Sequence, residues 1–383
     1  MSAPVQSVIV VGAGVIGLSC GYNLAQKGLD VTILEENLAG SGQSTKTGGG
    51  IRYFHGLDEN VEMSFLSQGF WKKFRQTLDI DPYYRETGHL FLTSNFQVSK
   101  DLFNIPNQKS LKLEMLEKTQ IQVRWPQLSG LNLQYGVYCP FGGYLDHHKV
   151  IKGLVKGFES LGGVIRLGVR VNSLIKFKDK VIGVRTSNGP LTANVILNCA
   201  GAMVSELTQY EHTPDPFRSR HHELIIVKPK RSFTYVMPWL IDIDNKVHLR
   251  PDGEGRALVG GFLGKNKETD IRTYSYDTSH QWCQEVLKAA HSSFGLTPTN
   301  TDILHHWGGL YPGTLDYKPV IEKTKAGFYT AAGFAGTGLM HAPATGIIVC
   351  DLITNGQTDK IEISKFSSAR FIKSPQVMET TGF

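Results

Sequence analysis

Gly12, Gly14 and Gly17 stand in GxGxxG spacing, and the stretch they open closes on Glu35 and Glu36. The first glycine permits a tight turn, the second lets backbone approach a pyrophosphate, and the third lets a helix pack close to a strand. Ala13, Val15 and Ile16 fill the turn and the first helical turn, whose N–H groups and positive dipole end suit phosphate. A carboxylate at Glu35 accepts hydrogen bonds from ribose hydroxyls and repels a 2′-phosphate, which points to an ADP-containing dinucleotide and away from NADP. A second set of residues offers different chemistry. Arg52 follows the triplet Gly48, Gly49, Gly50, and a guanidinium fork can hold a carboxylate through two parallel bonds. The alternatives are a solvated arginine on a flexible linker, or one paired with an acidic side chain. Tyr53, His55, His222, Tyr311 and His341 offer groups that could hydrogen-bond a ligand or carry a proton, although such residues often serve only packing.

Elements must hold these groups in place. Ser7 to Val11 reads as a buried parallel strand, Ile16 to Lys27 as a small-residue helix stopped by Gly28, and Val31 to Leu34 as the next strand. Ala39 to Gly56 is a Gly/Ser/Thr loop that a ligand or another backbone could approach closely. Asn60 to Leu78 reads as an amphipathic helix and GHLFLTS as a strand. Asp146 reads as the cap of a helix ended by Gly162 and Gly163. Val164 to Leu167, Arg170 to Ile175 and Val195 to Asn198 read as strands, the last running into a small-residue turn at Cys199 to Ala202. The block 206–304 alternates like an antiparallel sheet (HHELIIVKP, KVHLRP, GRALVGGFLG), interrupted by a helix from His280 to Ser292. Phe328 to Ala331 reads as a strand, 333–341 as a tight loop, and Pro343 as the start of a helix. The fold expected is an α/β Rossmann-like domain with an inserted α+β domain built on an antiparallel sheet. The first comprises 1–80, 141–205 and 305–383, and the second 81–140 and 206–304.

Bulk properties narrow the classes. The chain has 383 residues, 41% of them hydrophobic, enough for two domains with real cores. A net charge of +6 without a Lys/Arg run disfavours nucleic acid and suits small anions. Five cysteines, widely spaced and with no CxxC, indicate neither a disulfide framework nor zinc. The paired histidines at 147–148, 221–222 and 305–306 tempt a metal reading, but neighbours in a strand face opposite ways and no carboxylate cluster supports one. No stretch is long and apolar enough to span a membrane, and the expected location is cytoplasmic.

Taken in order, VVGAGVIGLSCGYNLAQKG…VTILE, GSGQSTKTGGGIR, LDHHKVIKGL, VILNCAGAM, WGGLYPGTLDYKPVI and GFAGTGLMHAPATG resemble the D-amino-acid-oxidase-like family of FAD enzymes. That family includes glycine and sarcosine oxidases, dimethylglycine dehydrogenase and the β subunits of dye-linked proline dehydrogenases. The resemblance implies FAD, with Gly12, Gly14 and Gly17 at its pyrophosphate and Glu35 at its ribose. Ser44, Thr45 and Gly48–Gly50 would pass the flavin, Val171 the adenine, and Ala200 and Gly201 the ADP. Gly336, Thr337, Gly338, Leu339 and Met340 would lie at the isoalloxazine ring, and the helix begun at Pro343 beside its pyrimidine. Arg52 matches an arginine that binds substrate carboxylate. Tyr311 stands where glycine oxidases carry an arginine, which turns the reading toward secondary and tertiary amines. Met340 stands where sarcosine oxidase has a second carboxylate-binding lysine, leaving Arg52 as the one candidate cation. Relatives that attach flavin covalently use a His where Thr47 stands or a Cys where Gly309 stands, so FAD is expected to be non-covalent. No lysine for oxygen activation matches near His248, which leans toward a dehydrogenase over an oxidase, with a carrier rather than O2 as electron acceptor.

The expectation is oxidation of the C–N bond of a small amino or imino acid by hydride transfer to flavin N5. The alternatives are a 2-hydroxy-acid or D-amino-acid dehydrogenase on the same scaffold, or the FAD-bearing subunit of a heteromeric complex. Partner subunits or a homo-oligomer are compatible with either.

Overall fold

The computed structural model describes residues 6–105, 108–128, 133–208, 215–229, 236–263, 268–296 and 303–373. The expected sheet segment GRALVGGFLG ends at Gly264, outside the described residues.

Six strands form the sheet that carries the glycine turn. Their order is Val320–Lys325, Phe328–Ala332, Val195–Asn198, Ser7–Val11, Asp30–Glu35, Val164–Leu167. Ser7–Val11 pairs in parallel on both sides, with Val10 facing Leu197 and Ile33. Parallel strands are covered on both faces, which is why they read as unbroken apolar runs. On one face, Val8, Val10, Ile33 and Leu197 pack with Leu18 and Leu24 of the helix Val15–Gln26, Phe158 of His147–Ser160 and Ile348 of Gly338–Asn355. On the other, Ile9, Val11, Leu34 and Ile196 meet Val181 and Val184 of a three-stranded antiparallel sheet, Val171–Phe177, Lys180–Thr186 and Gly189–Thr192.

The helix expected to start at Pro343 starts at Gly338. The His341 amide already donates to the Thr337 carbonyl at 3.0 Å, so helical bonding precedes the proline. The missing N–H removes only one bond near the N-terminus, where a proline does least harm. This helix lies tightly against Val15–Gln26: a Cβ at Gly346 would fall 2.7 Å from the Ser19 carbonyl oxygen. The pair His147–His148 opens a helix capped by Asp146 and is not in a strand.

The second sheet has eight strands in the order Ile303–Thr314, Phe217–Val227, Arg256–Gly260, Val247–Gly253, Trp239–Asp242, His89–Thr93, Tyr135–Cys139, Glu114–Glu117. All its pairs are antiparallel except Trp239–Asp242 with His89–Thr93. Leu92, Ile225, Leu249 and Val259 face Trp282, Val286 and Ala290 of the helix His280–Phe294 and form a separate core. Side chains alternate along each strand, so the other face presents a different set. In Phe217–Val227 that set is Arg220, His222 and Leu224, turned toward the first sheet.

Candidate functional site

A cleft runs past the C-terminal ends of the parallel strands and continues beneath the second sheet. Open α/β sheets bind ligands at that edge. Three stretches of it share residues. Gly14, Glu35, Val171 and Ala200 line the first. Ser44, Gly201 and Leu310 link the first to the second, and Thr47, His222, Tyr311 and Gly336 link the second to the third.

At the first end the chain turns at Gly12, whose φ of +99° suits glycine alone. A Cβ there would fall 2.7 Å from the Cys199 carbonyl oxygen, and one at Gly17 only 2.0 Å from the Gly12 carbonyl oxygen. Turn, helix and neighbouring strand are therefore packed backbone to backbone. Glu35 braces the turn, accepting from the Ala13 amide at 2.8 Å and the Asn37 amide at 2.9 Å. Ser44 Oγ accepts from the Val15 amide at 2.9 Å and so pins the Gly/Ser loop to the helix start. With no acidic residue in the first turn, the positive helix end faces the cleft and suits a diphosphate. Glu36, Val171, Cys199, Ala200 and Gly201 complete this end.

Midway, Val15, Ile16, Gly309, Gly338 and Leu339 line the walls. Gln43 ties loop to strand: its Oε1 accepts from the Leu310 amide at 2.6 Å, and its Nε2 donates to Tyr274 Oη at 3.0 Å. Trp307 Nε1 donates to the Lys46 carbonyl at 3.0 Å. The positive-φ turn at Gly336 (+89°) lies flat against Tyr311, whose ring a Cβ would meet at 2.6 Å.

The far end holds Thr47, Gly48, Gly50, Arg52, His222, Tyr311, Thr337 and Met340, all foreseen. It also holds Arg220, His89, His248, Trp239, Phe262 and Tyr317, which sequence reasoning missed. Arg52 was expected to be the one candidate cation, and Arg220 corrects that. The period-two spacing Arg220, His222, Leu224 was the available signal, but it does not say which face meets the cleft. Gly48 and Gly50 are small partly because the Trp239 indole lies on them, 2.9 and 3.0 Å from where a Cβ would stand. Gly49 backs onto the Leu145 carbonyl.

Burial sets the charge here. It holds the His222 imidazole well below its usual pKa, with further lowering from His248 and His221. Burial first, then Arg52, lowers His89 to about 3, and burial with Arg250 and Arg52 lowers His248 to about 3. All three rings are neutral near pH 7. Tyr311 is pushed up to about 12 by burial, against the pull of the Arg52 charge. His222 lies 4.5 Å from Tyr311, ring centre to ring centre, and neither of its nitrogens has a hydrogen-bond partner among the described residues.

Seven foreseen residues are not in the lining. The Ala13 amide binds Glu35, and Gly17 faces the turn. Thr45 Oγ1 donates to the Gly40 carbonyl at 2.9 Å, and Gly49 has been described. His341, fully buried, lies behind the wall with its Nε2 3.0 Å from Ser64 Oγ. Tyr53 packs on Phe65 and Phe141, and His55 Nε2 sits 3.1 Å from the Arg52 carbonyl. Among the described residues, no cluster of His, Cys, Asp or Glu could hold a metal ion, all five cysteines are free and buried, and no helix is long and apolar enough to cross a membrane.

The family described as FAD dependent oxidoreductase (DAO) matches residues 7–352. The chain is 26% identical to the glycine oxidase of Pseudomonas putida, over 92% of this chain and 95% of that one. It is 22% identical to human mitochondrial dimethylglycine dehydrogenase over 98% of this chain, but it spans only 46% of that longer protein. The structure superposes on L-proline dehydrogenase from P. horikoshii with a TM-score of 0.85 at 24% identity, covering 97% of this chain and 99% of that one.

Proposed function

The chain belongs to the DAO family of FAD-dependent oxidoreductases, an amino acid oxidoreductase family, and from that premise we propose that it oxidises the C–N bond of a small amino or secondary amino acid of the sarcosine, proline or glycine type. The observation that carries this reading is the single cleft. It joins a dinucleotide turn at Gly12–Gly17 to an end lined by Arg52, Tyr311 and His222.

The residues fit FAD. The close-packed glycine turn and open helix end suit its diphosphate, Glu35 its ribose, and Val171, Ala200 and Gly201 its adenosine half. Ser44, Thr47, Gly48, Gly50, Gly309 and Gly336 to Met340 would lie along the flavin. Neither Thr47 nor Gly309 carries a group that bonds to a flavin ring, which supports non-covalent attachment. Bound there, FAD supplies the two-electron acceptor for the oxidation.

The protein's own share is binding, desolvation and proton handling. Arg52 would grip the substrate carboxylate through its planar fork. Leu224, Trp239, Ile241, Phe262 and Met340 wall the site with apolar surface, which excludes water and strengthens that contact. An amine must lose its proton before oxidation. The neutral His222 imidazole, buried and without a hydrogen-bond partner among the described residues, would accept it, with Tyr311 alongside to orient the amine. The final electron acceptor would be O2 or a carrier.

The test is anaerobic. Purified holoprotein is mixed with sarcosine, L- and D-proline, glycine, D-alanine and several 2-hydroxy acids, and flavin absorbance near ~450 nm is followed as the oxidised ring bleaches. Bleaching by an amino or imino acid is expected. Bleaching by hydroxy acids alone overturns the assignment.

A further inference from the structure

We infer that Arg220 is the seat of a second anionic group of the substrate, and that the preferred substrates are amino acids carrying two carboxylates. This rests on the C–N oxidation reading and deepens it, since Arg52 is already assigned to the first carboxylate.

Arg220 is 8% exposed and stands in the cavity wall, on the face of its strand that also carries His222. It lies directly across the strand pair from Tyr311. Arg52 lines the same cavity as Arg220 and Tyr311. Nη1 of Arg220 is buried with no hydrogen-bond partner among the described residues. Its nearest carboxylate is that of Glu268, 3.8 Å from Nη2, a separation that is a charge contact and not a hydrogen bond. Glu268 is 56% exposed and is shared with Arg218 at 3.6 Å, so it cannot neutralise Arg220 alone. The Tyr317 ring, 4.5 Å from the guanidinium carbon, holds the side chain in place through its face without taking a proton.

A buried guanidinium donor left unbonded is costly, and a ligand oxygen removes the cost. The chemistry of that ligand follows from the walls. None of the described residues lining the cavity is acidic, and the three histidines are neutral. Two guanidiniums thus line one cavity, and a monoanion held at Arg52 leaves Arg220 Nη1 without a ligand oxygen. A small molecule with a carboxylate at each end, such as an N-carboxymethyl or acidic amino acid, satisfies both. A longer apolar substrate would leave Arg220 unbonded.

The experiment uses holoprotein and two non-reacting probes in which sulfur replaces the amine nitrogen: thiodiacetate, a dianion, and (methylthio)acetate, a monoanion. Calorimetric titration should show the dianion binding at least about tenfold more tightly to the unaltered protein. Arg220→Gln should weaken the dianion by about 10- to 100-fold and leave the monoanion within about twofold, with FAD content unchanged. Arg220→Lys, which keeps the charge but loses the fork, should retain part of the preference. Equal binding of the two probes by the unaltered protein overturns the inference, and needs no variant to fold. So does a Gln variant that weakens both probes alike, or that loses FAD, which would place Arg220 on the cofactor. Arg52→Gln separates the two readings: it should weaken both probes, and if it weakens neither, the first carboxylate seat fails while the Arg220 result stands. The titration reads Arg220 whether or not any amine reduces the flavin.

Discussion

Arg52 is held from behind by a small buried network. Ser64 Oγ donates to its carbonyl at 2.9 Å, with His55 Nε2 3.1 Å from the same oxygen and His341 Nε2 3.0 Å from Ser64 Oγ. The guanidinium is thus aimed by a fixed backbone. Arg52→Ala should lower kcat/KM for an amino acid by on the order of 100-fold, the loss expected for one charge-assisted bidentate contact, and steady-state kinetics would detect it. An unchanged kcat/KM would remove Arg52 from the carboxylate. His222→Gln should lower kcat/KM by roughly 100-fold near neutral pH, with part of the loss recovered at high pH where the amine sheds its own proton. A pH–rate profile of the two proteins checks this. Arg52 and Tyr311 were legible because they sit in segments that carry the resemblance, a glycine run and the stretch Gly-Leu-Tyr-Pro, although the latter lies within the strand Ile303–Thr314. Arg220 and His248 lie mid-strand, where nothing local says what their side chains meet.

At the scale of elements, two arginines, Arg250 buried and Arg370 half-buried, tie separate segments together. Arg250, from the strand Val247–Gly253, donates through Nε to the Gly48 carbonyl at 2.8 Å and through Nη1 to Asp252 at 3.0 Å. It therefore ties the glycine loop to the second sheet. Arg250→Ala would leave Asp252 short of a partner and the loop untethered. A stability loss of about 3 kcal/mol is expected, with weaker FAD retention, both measurable by denaturant unfolding with flavin release as the readout. Arg370 forms the second lock, meeting Asp316 at 2.8 and 3.0 Å across two parallel bonds. Burial pushes the Asp316 carboxyl up, but Arg370, Thr314 and the Lys318 amide outweigh it and hold the pKa below the usual carboxylate range. A depressed pKa means this lock is fully stabilising above the unfolded value of about 3.9 and is lost as pH falls through the lower folded value. Asp316→Asn should therefore flatten the stability curve below about pH 4, and unfolding midpoints measured across that range test it.

For the molecule as a whole, the same burial that keeps the site dry makes the fold sensitive to acid. His89 and His248, each near 3, and His222, well below its ordinary value, all titrate lower in the folded protein than the roughly 6.5 of an unfolded chain. Their contribution is complete above about pH 6.5 and drains away as pH falls toward the folded values, because the unfolded chain takes up protons first. For His89 and His248 this should cost about 1–2 kcal/mol each between pH 7 and pH 5. Denaturant titrations at the two pH values should show a smaller difference in His248→Gln than in the unaltered protein. The sequence by itself determined the dinucleotide turn, its strand–helix–strand frame and the family resemblance, since spacing over about thirty residues encodes a turn whose contacts are local. Helix caps such as Asp146 and Ser279 were equally local, the first read and the second confirming a helix that reads as starting at His280. Only the tertiary structure decided what closes the far end of the cleft. Strands as far apart in the chain as Gly50–Arg52 and Ile303–Thr314 bring Arg52, His89, Arg220, His248 and Tyr311 to one cavity, and which face of each strand looks inward is set by sheet-on-sheet burial, which alternation announces but does not assign.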